Sequence, residues 1–422
     1  MAIDASALTD GRTDPPAQRR SLIVLAAAQV LSGAGLVAGV TVGSLLAQDM
    51  LGSTSLAGLP SALGTAGSMA GAVAVARVSH AGGRRPGLAA GYLAGAIGSA
   101  GVVAAAVGAS PGLLFVALFV YGAGMATTLQ SRYAGADLAA PRRRARAVST
   151  VLVATALGAV AGPNLAAPTG DLAQALGIPH LAGPFLLSSA AYAMAALVLI
   201  IWLRPDPLLL ARELGADPAR AQPTGDRPEP GGGRPDLVVG TLIMVIAQVV
   251  MVAVMTMTPV HMHDHGHGTA ATGLVIAVHL GAMYLPSPVT GWLVDRYDRL
   301  AMAAVAGLAL LAAGLVAATA PADSVALLAV ALGLLGLGWN VGFVAGTAIV
   351  TDAVPPATRA KTQGSVDVAI ALAGAGGGMA SGLVVAAAGY PLLALGGGVL
   401  ALGIAPLVGI PAAARLRRRS RP

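Results

Sequence analysis

The sequence predicts an all-α membrane protein: twelve transmembrane helices in two pseudo-symmetric six-helix bundles. Three observations predict it. Apolar residues make up 56% of the 422-residue chain and charged residues only 10%, whereas a soluble domain carries about 25% charge. Apolar windows of about 20 residues recur along nearly the whole length, each long enough to cross about 30 Å of hydrocarbon as a helix. Loop motifs also repeat at a constant offset of 215 residues, as duplication of a six-helix unit requires.

The elements follow in order. Residues 1–20 form a polar tail that runs straight into a full-length span. No short apolar region with a cleavage site precedes it, so no cleaved signal peptide is expected. Spans are placed at about 21–48, 55–77, 87–108, 112–135, 147–170 and 182–204, making the first bundle (21–204). A second set, at about 236–260, 271–294, 299–320, 324–350, 363–388 and 391–413, makes the second bundle (236–413). Between them, 205–235 is rich in Pro, Gly, Asp and Arg and reads as a cytoplasmic linker, disordered apart from a short helix around 208–214. A basic tail, 414–422, closes the chain.

Charge fixes the orientation. With both termini in the cytoplasm, all 25 Lys and Arg except Arg132 fall in cytoplasmic segments, and Arg132 lies within a turn of the cytoplasmic end of span four. The external loops hold none. The net charge of +7 thus reads as topology and as attraction to anionic lipid, not to nucleic acid. The expectation is a multi-pass protein of the cell membrane, monomeric, whose partners are the bilayer and a small-molecule or metal-ion substrate. No enzyme signature appears: no phosphate-binding GxxxxGK[ST], no paired mid-membrane acids, no Ser/His/Asp set. The glycine run from Gly374 to Gly378 sits inside an apolar span and reads as helix packing. No cofactor is expected.

The loop after span eight reads Gly291-Trp292-Leu293-Val294-Asp295-Arg296-Tyr297-Asp298-Arg299. A degenerate mate after span two ends Gly83-Arg84-Arg85. Asp137…Arg144-Ala145-Arg146 after span four likewise matches Asp352…Arg359-Ala360-Lys361 after span ten. Twelve spans, a central linker and G-x-x-x-D-R-x-x-R resemble the major facilitator superfamily over the whole chain. The resemblance implies a transporter and makes Gly291, Asp295, Arg296, Arg299, Arg84 and Arg85 conformational latches. Asp295 is expected to meet the positive end of a neighbouring helix, span five. In span five, Gly158-x-x-x-Gly162-Pro163-Asn164 resembles the family's antiporter motif but departs from it at Ala166-Ala167. The first-half loop also departs, with His80 where the family places aspartate. Asp367, a turn into span eleven, is expected to compensate by pairing with Arg77, Arg84 or Arg85. His279, Asp367 and Arg132 are the candidates for an ion pair or for proton coupling.

Residues 244–283 hold six of the thirteen methionines and five of the seven histidines. Met244, Gln248, Met251, Met255, Thr258 and Met262 fall on one helical face. With no cysteine in the chain, methionine and histidine are its only soft ligands. Met251 and Met255 are i, i+4 in span seven, and His279 and Met283 are i, i+4 in span eight, at matching depth near the midplane. Thioether and imidazole suit Cu(I). Outside, His261, His263, His265 and His267 form a loop suited to metal capture, or alternatively a pH-sensitive gate or a plain solvated loop.

The MxxxM of span seven and HxxxM of span eight resemble those of the CcoA-like copper importers of the superfamily. That resemblance implies copper as the substrate, moved inward by alternating access. Two other readings stand beside it. One is a proton-coupled transporter or exporter of an organic solute such as a drug or vitamin, with the methionine face serving as packing. The other is a membrane sensor of external metal or pH, for which the linker offers no output domain.

Overall fold

The computed structural model describes residues 14–41, 46, 49–50, 59–216 and 233–407. Among them the chain is all-α. The helices are α1 (Pro16–Thr41), α2 (Leu59–Gly82), α3 (Arg84–Val107), α4 (Pro111–Ala136), α5 (Arg144–Ala175), α6 (Gly183–Trp202) and α7 (Pro207–Ala216). They continue with α8 (Arg234–Asp264), α9 (Thr269–Tyr284), α10 (Ser287–Arg296), α11 (Arg299–Thr319), α12 (Val325–Ala353) and α13 (Arg359–Ala401). Helix α7 is the short linker helix. Helix α13 is divided at Gly389, whose φ of 81° and ψ of 166° interrupt it just before Pro391. With α9–α10 counted as one broken pass and α13 as two, twelve passes lie among the described residues.

The sequence accounts for the starts. Ser110 caps α4 by accepting from the Leu113 N–H, with Pro111 at its first position, and Asp298 caps α11 by accepting from Leu300 and Ala301. Each cap satisfies first-turn N–H groups that have no partner within the helix. Close helix crossings rest on small residues: Gly33 of α1 lies against Thr155, Gly158 and Ala159 of α5, where a Cβ would collide with backbone. Many large apolar side chains, among them Ile97, Ile200 and Leu308, are exposed, as lipid-facing positions are.

The chain forms two compact units. The first holds α1–α4, α5 from Thr150 onward, α6, α7 and the 355–371 stretch that opens α13. Its core gathers Leu25, Leu88, Tyr92, Tyr121, Phe185 and Tyr192. The second holds residues 142–149, α8–α12 and the rest of α13.

Two expectations are corrected. Helix α8 does not end near residue 260 but runs through His261 and His263 to Asp264. Met262 is fully buried and carries the apolar stripe one turn further, and the helix tolerates Pro259 inside it. The predicted span eight is in fact broken between Tyr284 and Ser287. Pro286 and Pro288, on either side of Ser287, remove two donors from the helical ladder there.

Candidate functional site

In the second unit, α12 is the wall on which α8 and α9 both pack, each far more extensively than on the other. Helix α8 runs antiparallel to α12. Gly346 lies against Met244, Gly342 against Ala247, and the indole N–H of Trp339 donates to Gln248 Oε1 at 2.8 Å. Continuing that register at 1.5 Å per residue puts Met251 level with Gly336 and Met255 level with Leu332. Helix α9 runs parallel to α12. Gly336 lies against the backbone of His279 and Met283, and Asn340 Nδ2 donates to the Met283 carbonyl at 2.7 Å. Met251, Met255, His279 and Met283 therefore fall within about one to two turns of one another along α12, between Leu332 and Asn340. His279 is fully buried, Met251 and Met283 nearly so, and Met255 half-buried.

His279 has a defined proton arrangement. Its Nδ1 lies 2.9 Å from the Leu332 carbonyl oxygen. A carbonyl only accepts, so Nδ1 carries the proton and donates. The other ring nitrogen, Nε2, is buried with no hydrogen-bond partner. In a neutral imidazole that nitrogen holds a lone pair that no donor meets, and fixing one nitrogen by a backbone carbonyl is how protein histidines are oriented as ligands. The sequence reading had no role for Leu332, Gly336, Trp339 or Asn340. Asn340, fully buried in an apolar span, was the available signal. Beside it, Trp339 stacks on Phe343 with centroids 4.0 Å apart, and Tyr284 meets Trp339 edge-on at 5.9 Å.

At the other end of α8 the histidines are only partly gathered. His261 stacks on Tyr390 (4.4 Å between centroids) and touches His265 (4.3 Å). His265 Nδ1 lies 2.7 Å from the His261 carbonyl, and His267 Nε2 lies 2.7 Å from the Ala322 carbonyl. His263 is exposed.

The latch residues lie at the basic ends of the units. In the second unit, Asp295 accepts from the backbone N–H groups of Ala145 and Arg146, both at 3.0 Å, with Gly291 against Ala145 and Ser149. Arg296 is exposed. Asp352 is bridged by Arg299 and Arg144. In the first unit, Asp137 receives Arg84 at 2.7 Å and Arg359 at 3.5 Å, and Arg84 also donates to Gln363. Arg85 takes part through its backbone, whose N–H donates to Asp206. Asp367 is corrected: it pairs with none of Arg77, Arg84 and Arg85. Arg132 donates to it at 2.7 Å and the Tyr133 hydroxyl at 3.3 Å, while Arg84 meets Gln363, one turn earlier on the same helix. Of the antiporter-like motif, Gly158 is the residue in the α1–α5 crossing; the side chains at Gly162 and Pro163 lie outside those described.

Residues 23–284 and 237–422 match the Major Facilitator Superfamily. The chain belongs to that superfamily. Superfamily members among its relatives include the MFS-type transporter YdeG of Bacillus subtilis (strain 168), 54% identical over 92% of this chain and 91% of that one. The riboflavin transporter RfnT of Brucella anthropi is 33% identical over 84% of this chain and 86% of that one. Among solved structures, the human organic anion transporter MFSD10 shares the fold at a TM-score of 0.74 and 17% identity, over 93% of this chain and all of that one. The E. coli fucose:proton symporter FucP does so at 0.66 and 15%, over 95% of this chain and 98% of that one. The chain is a multi-pass secondary transporter of the superfamily, not an enzyme.

Proposed function

We propose that this transporter carries copper into the cell, taking cuprous ion at Met251, Met255, His279 and Met283. The observation that carries the reading is the His279 ring, buried, with Nδ1 committed to the Leu332 carbonyl and Nε2 without a partner. The register along α12 supports it, since the three methionines stand within about one to two turns of His279 along that helix. Neutral thioethers bind Cu(I) without the hold of thiolates, which suits a site that must release its cargo. In this reading the basic ends and both termini are cytoplasmic, the membrane is the cell membrane, the protein works as a monomer, and the histidine end collects metal outside.

A second reading has its own support. The likeness to a riboflavin transporter, together with the Tyr284–Trp339–Phe343 cluster beside the site, suits a planar organic solute. One experiment separates the two: accumulation of copper and of riboflavin in cells with and without the protein, repeated for Met255→Leu and His279→Gln at confirmed expression. Each variant removes one soft ligand at nearly constant size, and copper accumulation is expected to fall about tenfold or more. Wild-type copper uptake in both variants ends the proposal, and protein-dependent riboflavin uptake replaces it.

A further inference from the structure

The two halves of the sequence differ at one matched position. Asp295 holds the start of α5 through the N–H groups of Ala145 and Arg146. Its counterpart, 215 residues earlier, is His80, which has no carboxylate to offer the N–H groups of Ala360 and Lys361. The linker helix α7 occupies that place in the first unit. Arg212 of α7 donates through Nη1 to the His80 carbonyl at 3.1 Å, through Nη2 to the Ala357 carbonyl at 3.2 Å, and through Nε to the Pro356 carbonyl at 3.2 Å. Its Nη2 is also 3.5 Å from His80 Nδ1.

The helix that carries Arg212 is itself anchored. Asp206 Oδ1 accepts from the Leu208 and Leu209 N–H groups, capping α7, and Oδ2 accepts from the Arg85 N–H at the start of α3. Gly83, at φ +95°, is where that carboxylate approaches: a Cβ there would collide with it. Leu208 is fully buried.

We infer that α7 is a latch that stands in for the missing aspartate, with Arg212 as the positioning residue that ties the loop after α2 to the turn before α13. A guanidinium presents its donors in a fixed fork, so a single side chain holds three carbonyls from two distant parts of the sequence. Asp295 does the corresponding work with the opposite polarity, a carboxylate meeting N–H groups instead of a cation meeting carbonyls. During transport, the turn at 355–357 would separate from the loop at 80–83 only after Arg212 lets go.

The test uses a distance, so it does not depend on the cargo. The chain has no cysteine, which makes Ala81→Cys and Ala357→Cys, both exposed, the only thiols. In membranes, a short bismaleimide should link them readily in the otherwise unchanged chain and about tenfold more slowly with Arg212→Ala. Arg212→Lys, which keeps the charge but not the fork, should fall between, and it carries the test if the alanine variant does not accumulate. Adding His80→Asp to Arg212→Ala should restore the rate, because the new carboxylate can take the N–H groups of Ala360 and Lys361. An unchanged rate in Arg212→Ala overturns the latch. A slowed rate that His80→Asp fails to restore overturns the substitution of one device for the other.

Discussion

The basic ends of the two units carry the same ion-pair station built twice. Asp137 receives Arg84 and Arg359, and Asp352 receives Arg299 and Arg144. Every residue of one set lies 215 positions from its counterpart in the other. The surroundings differ. The Asp137 side chain is fully buried, whereas that of Asp352 keeps 25% of its exposure. The first unit also adds a pair that the second lacks: Arg132 and Asp367 are both buried, while the matching positions hold Thr347 and Leu152. The repeat thus accounts for the charges, while how dry each station is depends on the neighbours it has. A dry charge pair is costly to leave half-made, so the first unit is the one in which losing a partner costs more.

Removing one partner of the Arg132–Asp367 pair should break that contrast most severely. Asp367→Leu leaves a guanidinium buried with its carboxylate gone, and loss of one member of such a pair costs about 3–5 kcal/mol. Replacing both, as Arg132→Met with Asp367→Leu, removes both buried charges and puts apolar side chains of similar volume in their place. Most of the lost stability should return. Thermal unfolding in detergent reads both. A double variant as unstable as the single one would mean that the pair does more than satisfy its own charges.

Next in size is the latch asymmetry. Asp295→Asn keeps the shape but leaves one neutral acceptor for two N–H groups at the start of α5, setting its NH2 donor against the other. Turnover should drop about tenfold, with substrate affinity little changed. Weakened binding at unchanged turnover would place Asp295 in the substrate path instead.

Legibility of the sequence tracks the range of the forces involved. Span number and the repeat follow from hydrophobic length and local motif spacing, and the pairing of Asp295 with a helix start is what the family resemblance implies. The partner of Asp367 does not, because Arg77, Arg84, Arg85 and Arg132 all lie near one end and only packing decides which is level with it. Asp206 and Arg212 were hidden in a linker whose composition signals disorder, although α7 lies where a short helix was expected. At the candidate site, the spacing of Met251 and Met255 and of His279 and Met283 was readable. The wall supplied by α12 was not, since a contact between Leu332 and His279 spans 53 residues. The histidine segment misled for a simple reason: charge and polarity mark the edge of the hydrocarbon but not the end of a helix, and buried Met262 carried α8 past it.

The smallest expected effect concerns those histidines, and it sharpens the difference between a buried site and an exposed one. His279 has one orientation and one free nitrogen. By contrast, His261 is engaged with Tyr390 and His265, His267 lies against the Ala322 carbonyl, and His263 faces outward. On the proposed copper reading, such a set offers interchangeable ligands without a fixed geometry, a means of concentrating metal at the entrance and not a defined coordination site. Replacing His261, His263, His265 and His267 together by alanine should therefore lower copper uptake only when external copper is scarce, by about threefold, and leave it unchanged when copper is plentiful. The same variant carrying Gly266→Cys, probed with an impermeant thiol reagent in intact cells, checks that the segment lies outside. If uptake is lost at both copper levels while expression and labelling are normal, the histidine end is a required station on the path, and the distinction drawn between it and the His279 level fails.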